Sequence, residues 1–247
     1  MQQKPSLLWP AVTLFVCYAV YGAALVPLYN FFYADVVLQN TFWFDLIDGV
    51  QQWLEIVGLS LCFGFLIDGV YRFTIRACRA LYLLVGGALL FKYAASHGAL
   101  ILFLNEPLTF DGVVGSAVSL CIELVLCAVV VLLAALRIPR AVAAQKARAK
   151  AAGTIGEAMN VPAPLLPFKR PFARDNVLQT TALLVMILLA VIRILLWVVN
   201  DVAFALFGLA FTAADIPVTL LYWLVLILVP AALGYFLILF ILQKRAK

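Results

Sequence analysis

Four ionisable side chains, Glu55, Lys92, Glu123 and Arg193, stand inside long apolar stretches of this chain. A charge in hydrocarbon costs roughly 2.5 to 3.5 kcal/mol on insertion scales, so each of the four needs a counter-charge, a hydrogen-bonding partner or water. Two carboxylates and two cations balance. Ion pairing of Glu55 or Glu123 with Lys92 or Arg193 is therefore the expected chemistry, and the sequence leaves the pairing open.

Polar neighbours extend each position along its helix. Asp48, Gln51, Gln52 and Glu55 recur at spacings of three and four, which makes one stripe on the second apolar run. Ser116, Ser119, Glu123 and Cys127 do the same on the fourth run, and Arg193, Trp197, Asn200 and Asp201 on the fifth. Lys92 and Ser96 share a face on the third, with His97 beside them. The stripes occupy the middle and one half of the membrane, and the other half shows no equivalent. Lipid cannot solvate them, so they must converge inside a bundle. Two uses follow. One is an outward-opening, substrate-binding cavity lined by Glu55, Lys92, Glu123, Arg193, Gln52 and Asn200, in which carboxylates hold the cationic parts of a small polar ligand and Lys92 and Arg193 the anionic parts. The other is an interhelical clasp. Gly112 with Ser116, and Gly115 with Ser119, favour close helix approach on the fourth run and hence the clasp.

Catalytic chemistry has little to work with. The chain has one histidine, no HExxH and no GxSxG, and His97 reads as a polar residue at a membrane boundary. Asp48 and Asp68 sit on one helix roughly 20 residues apart, about 30 Å at 1.5 Å per residue, too far to share a metal pair. The five cysteines show no CxxC spacing and read as small buried hydrophobes. The expectation is no enzyme activity, no metal and no cofactor.

The elements that position these groups follow from composition. The 247 residues are 66% hydrophobic and only 12% charged, against about 25% charged in a typical soluble domain. A helix needs about 20 apolar residues to cross a hydrocarbon core of about 30 Å. Six runs meet that length, at residues 8–32, 49–69, 78–101, 113–136, 177–199 and 216–242. They are continuously apolar, with no period-two alternation, so they predict helices and no barrel. The fold expected is an all-α integral membrane protein, a six-transmembrane-helix bundle forming one polytopic domain over residues 1–247. The first run is too long for a signal peptide and ends in interface aromatics, so it reads as a retained helix.

Fifteen of the seventeen Lys and Arg residues fall at the termini and in the connections after the second and fourth runs. The connections near 33–48, 102–112 and 200–215 carry none. The positive-inside rule then places both termini in the cytoplasm, and the bare outer face fits a bacterial cytoplasmic membrane. Phe42 to Phe44 and Ala203 to Phe211 read as apolar outer segments lying in the interface or dipping into the bundle. Asp215 before Ile216 and Pro217 reads as an N-cap, and Pro230 with Gly234 predicts a kink in the sixth helix.

The basic connection at 137–176 is the one sizeable segment outside the membrane. Arg140 to Ala152 reads as helix, and the stretch holding Pro162, Pro164, Pro167 and Pro171 does not. Its charge suits anionic membrane lipids or a cytoplasmic protein partner. No stacking aromatics accompany it, which argues against nucleic acid. The functional expectation is a small multi-pass transport or solute-binding membrane protein. The alternative is a non-transporting accessory or scaffold subunit of a larger complex, such as the partner of an ABC-type ATPase.

Overall fold

The computed structural model describes residues 6–34, 42–72, 75–151, 177–206 and 216–244. Among them are six long helical rods and no strand. α1 runs through Leu8–Val20, a π-helical turn at Tyr21–Leu25, and Val26–Ala34. α2 is Phe42–Arg72, α3 Ile75–Leu104, α4 Phe110–Ala151 and α5 Val177–Leu206. α6 runs through Ile216–Trp223, a second π-helical turn at Leu224–Leu228, and Val229–Lys244. All six contain a stretch long and apolar enough to cross a membrane. Their outward surface is apolar too, with Leu83, Leu102, Phe103, Leu132 and Val199 exposed, as a lipid-facing surface requires. The bundle therefore has the architecture of a multi-pass membrane protein.

α2 is the axis of the bundle, touched by all five other helices, which follow one another around it in the order α1, α3, α4, α5, α6. Small residues on α2 allow this. At Gly58 the Tyr18 ring lies 2.8 Å from where a Cβ would stand, at Gly64 the Ile241 side chain 2.9 Å, and at Gly69 the Leu81 side chain 2.6 Å. The ring of outer helices has no comparable contact between α6 and α1 among the described residues. One end of the bundle carries Asp45, Glu106 and Asp111 and is its acidic end, and the other carries Arg72, Arg79 and Lys244 and is its basic end. In the gap between α6 and α1 the acidic-end half of α2 is bare, and a groove of about 540 Å³ runs along Leu46, Val50, Trp53, Val57 and Leu226.

The two π-helical turns share a cause. Each ends two residues before a proline, Pro27 in α1 and Pro230 in α6. A proline inside a helix has no N–H to give and its ring crowds the carbonyl four residues back; widening one turn to i→i+5 relieves the clash. The Val26 amide accordingly bonds Tyr21 O, and the Val229 amide bonds Leu224 O. In α6 the next carbonyl, Val225 O, would need an amide from Pro230. Trp53 of α2 supplies the donor instead, Nε1 to Val225 O at 3.0 Å. Trp53→Phe keeps an aromatic ring but removes the donor and part of the indole's packing, so a loss of at least about 1 kcal/mol in unfolding free energy is expected. An unchanged denaturation midpoint would show that this carbonyl needs no such donor.

Several expectations change. The second helix begins at Phe42, seven residues before the expected start, so Phe42, Trp43 and Phe44 are its first turn and not part of the preceding connection. Phe44 is held by the Tyr29 and Tyr33 rings at 5.2 and 6.3 Å, which lets α2 continue outward against α1. The fourth helix and the expected Arg140 helix are one rod, unbroken at Pro139. The fifth continues to Leu206, so Ala203 to Leu206 are helical. Residues 207–215, with the Asp215 cap, and 152–176, with the proline-rich stretch, lie outside the described residues. Where a kink was expected in α6, a π-helical turn stands just ahead of Pro230. α3 ends at Leu104 with Asn105 in the left-handed region at φ 57°, a position asparagine tolerates. Thr109 Oγ1 accepts the Gly112 amide at 3.2 Å, capping α4.

Candidate functional site

Glu55, Lys92, Glu123 and Arg193 meet. Each stands roughly 12 or 13 residues from the acidic end of its helix, about 18 to 20 Å along the axis, so the four share one level near the middle of the bundle. Their side chains form an alternating file. Glu123 Oε1 is 2.5 Å from Lys92 Nζ, Lys92 Nζ is 3.4 Å from Glu55 Oε1, and Glu55 Oε2 is 2.9 Å from Arg193 Nη2. Lys92 thus bridges two carboxylates, and Glu55 bridges two cations. Glu123 Oε2 is buried without a hydrogen-bond partner among the described residues.

The file is graded in exposure. The Lys92 side chain is 1% exposed and that of Glu123 6%, while Glu55 reaches 19% and Arg193 28%. Lys92 is also ringed by aromatic faces, with Nζ 4.4 Å from the Tyr93 centroid, 5.2 Å from Tyr21 and 5.9 Å from Tyr18. Such faces attract a desolvated cation. α1 supplies two of the three because it lies hard against α3. A Cβ on Gly22 would stand 2.7 Å from the Lys92 carbonyl and 2.9 Å from the Ser96 amide nitrogen. The π-helical turn that holds Gly22 therefore seats Tyr18 and Tyr21 over the ammonium.

Above the file, toward the acidic end, a second polar group crosses from α2 to α6. Gln52 Nε2 donates to Asp48 Oδ2 at 2.9 Å and to Tyr222 Oη at 2.7 Å, and the Tyr222 hydroxyl donates to Asp48 at 3.3 Å. Trp197, one turn beyond Arg193, sets its ring 4.5 Å from that of Tyr222. Gln51 Nε2 donates to Tyr21 Oη at 3.4 Å. Directly below the file, toward the basic end, the packing is largely apolar, with Leu59, Cys62, Phe63, Leu89, Cys127 and Leu189 fully or almost fully buried and Ser60 Oγ turned onto the Ile56 carbonyl of its own helix at 2.7 Å. A polar ladder thus descends along α2 from the acidic end, reaches the file, and stops on an apolar floor.

Of the six residues proposed from sequence, the four charges form the file and Gln52 caps it one turn above. The backbone of Asn200 is helical, and its side chain lies outside the described residues. None of the described cavities is lined by the four charges. Ser96 turns to its own helix, Oγ donating to the Lys92 carbonyl at 2.8 Å. His97 Nε2 lies 2.9 Å from Ser116 Oγ and ties α3 to α4. Of the two small-residue pairs expected to seat a helix on α4, Gly112 with Ser116 meets α3 at His97, whereas Gly115 has nothing within 4 Å.

Sequence reasoning missed the tyrosines. Tyr18 and Tyr21, three apart in an apolar helix, were a readable signal, because buried hydroxyls seek partners. It also found no equivalent polar stripe in the basic half. Asp68 is fully buried there and pairs with Arg72 one turn on, at 2.5 Å, while Arg72 Nη2 donates to Leu242 O at 3.2 Å and fastens the end of α6. Gln179 and Thr181 are buried in the same half. No group of three or more His, Cys, Asp and Glu residues placed to hold a metal occurs among the described residues.

The fold and this site together define a polytopic helical bundle, of membrane-spanning length and surface, built around a buried file of opposed charges. No known protein family, curated protein or solved structure matches the chain.

Proposed function

We propose that the chain is a multi-pass membrane transport or solute-binding protein that takes a small polar or zwitterionic solute from its acidic end onto the Glu55–Arg193 pair. The orientation follows the basic residues, with both termini and the 137–176 connection in the cytoplasm and the acidic end outside. A bacterial cytoplasmic membrane suits the loop-poor outer face. The observation that carries this reading is the graded exposure along the file. The pair nearest the polar ladder is the most exposed and the pair beyond it is sealed.

A bound solute would replace one protein ion pair with two of its own, its anionic group on the Arg193 guanidinium and its cationic group on the Glu55 carboxylate. Lys92 then stays paired with Glu55 throughout. Exchange of partners at constant charge avoids leaving an ion bare in a dry interior, the state that costs most. The apolar floor would have to part for passage to the basic end. No nucleotide-binding signature is present, so the energy for such a step would come from an ion gradient or from an ATPase docked on the basic connection. The chain would carry out no chemical reaction and require no cofactor.

A second reading keeps the same contacts and gives them a structural task. The four charges neutralise one another completely, as an interhelical clasp in an accessory subunit would. Thiol labelling separates the two. In a background with the five native cysteines replaced by alanine, Gln52→Cys is expected to react in intact cells with an impermeant cationic reagent. Arg79→Cys is expected to react only after the cytoplasmic side is opened. Folded protein in which Gln52→Cys stays unmodified from both sides would refute the solute site and leave the clasp.

A further inference from the structure

A second cavity lies far from the charge file, on the lateral surface at the basic end. It is a groove of about 750 Å³ between the end of α2, the start of α3 and the lower half of α4. Its walls are Val70, Cys78, Tyr82, Leu83, Ala128, Val131 and Ala135, with Arg79 and Pro139 at the mouth. We propose that this groove is a binding site for one anionic phospholipid of the basic-side leaflet, its acyl chain in the groove and its phosphate on Arg79.

Length is the first support. From Ala128 to Pro139 the groove follows α4 for roughly 11 residues, about 16 Å. One leaflet of a hydrocarbon core of about 30 Å is about 15 Å deep, so the groove spans a leaflet from near the midplane to the interface. Its small walls, Ala128 and Ala135, leave the room that a chain of methylenes fills.

Polarity is the second. The groove holds three polar side chains, and two are already engaged. Cys78 Sγ donates to Gly69 O at 3.1 Å, and Tyr82 Oη donates to Leu124 O at 2.9 Å. Arg79 is exposed at the mouth and forms no salt bridge among the described residues. The nearby carboxylate on α2, Asp68, is occupied by Arg72. A guanidinium without a carboxylate at headgroup level suits a phosphate, whose oxygens match its fork. The helix adds one acceptor: Pro139 has no amide hydrogen for the Ala135 carbonyl, and both residues line the groove. A headgroup carrying hydroxyls as well as phosphate, as in phosphatidylglycerol, would meet both.

The test uses the full chain in detergent, exposed to phosphatidylglycerol and phosphatidylcholine and examined for retained lipid by native mass spectrometry. Wild type is expected to keep one phosphatidylglycerol in preference to phosphatidylcholine. Arg79→Gln, which removes the charge, should weaken that binding about fivefold, the worth of one basic residue at an anionic surface. Ala135→Leu, which fills the groove and leaves the charge, should also release the lipid. Both losses together support the site. If Arg79→Gln weakens binding and Ala135→Leu does not, the lipid is held by surface charge alone and the groove assignment is overturned. If Arg79→Gln has no effect, the phosphate assignment is overturned whatever Ala135→Leu does. Melting curves in lipid-free detergent, expected to match wild type for both variants, separate lost binding from lost folding.

Discussion

Lys92→Met is expected to destabilise the bundle by about 3 to 5 kcal/mol, more than any other substitution at the charge file. The ammonium is 1% exposed and is the sole bridge between Glu123 and Glu55. Methionine fills much the same volume, so the loss isolates the charge. It leaves Glu123 without its cation above an apolar floor, and removing one partner of a buried pair costs this much because the other stays buried and uncompensated. Adding Glu123→Gln should recover part of the loss, since an amide tolerates the site better than an orphaned carboxylate. Unfolding in mixed micelles, measured for the two single variants and the double, gives the coupling. Additive effects, or a Lys92→Met protein as stable as wild type, would show that the file does not hold its helices together.

Gly22→Val is the second large effect, expected at about 3 kcal/mol, the upper end of the range for overpacking. The contacts decide the sign. A Cβ at Gly22 meets backbone of α3, the Lys92 carbonyl and the Ser96 nitrogen, and these atoms cannot swing aside as a side-chain tip could. α1 must retreat as a whole, drawing Tyr18 and Tyr21 off the ammonium. Gly115→Val serves as the control, because open space surrounds it, and should melt with wild type. Equal melting of the two valine variants would mean that the α1–α3 seam is looser than described.

The file was legible in the sequence because charge in an apolar run is rare and expensive, and the cost alone forces Glu55, Lys92, Glu123 and Arg193 toward one another. Which cation took which carboxylate was not legible. That depends on helix order around α2, and neither run length nor hydropathy encodes order. The central place of α2 left a faint trace in Gly58, Gly64 and Gly69, but the clearer small-residue repeat lay on α4, where Gly115 now faces open space. Helix ends erred for a related reason. Phe42 to Phe44 and Ala203 to Leu206 are as apolar as interface anchors, so composition could not separate a further helical turn from a loop. The π-helical turns were hidden because Pro27 and Pro230 signal only that a helix must adapt, not how.

The balance of the file has an electrical consequence. Two negative and two positive groups, linked end to end at one depth, carry no net charge through the bilayer field. Moving an unbalanced elementary charge across that field takes about 2.3 kcal/mol per 100 mV. A neutral quartet shifting as a unit does no such work. On the transport reading proposed above, voltage would not act on the file itself, so a zwitterion taken onto it would cross without current and a cation would not.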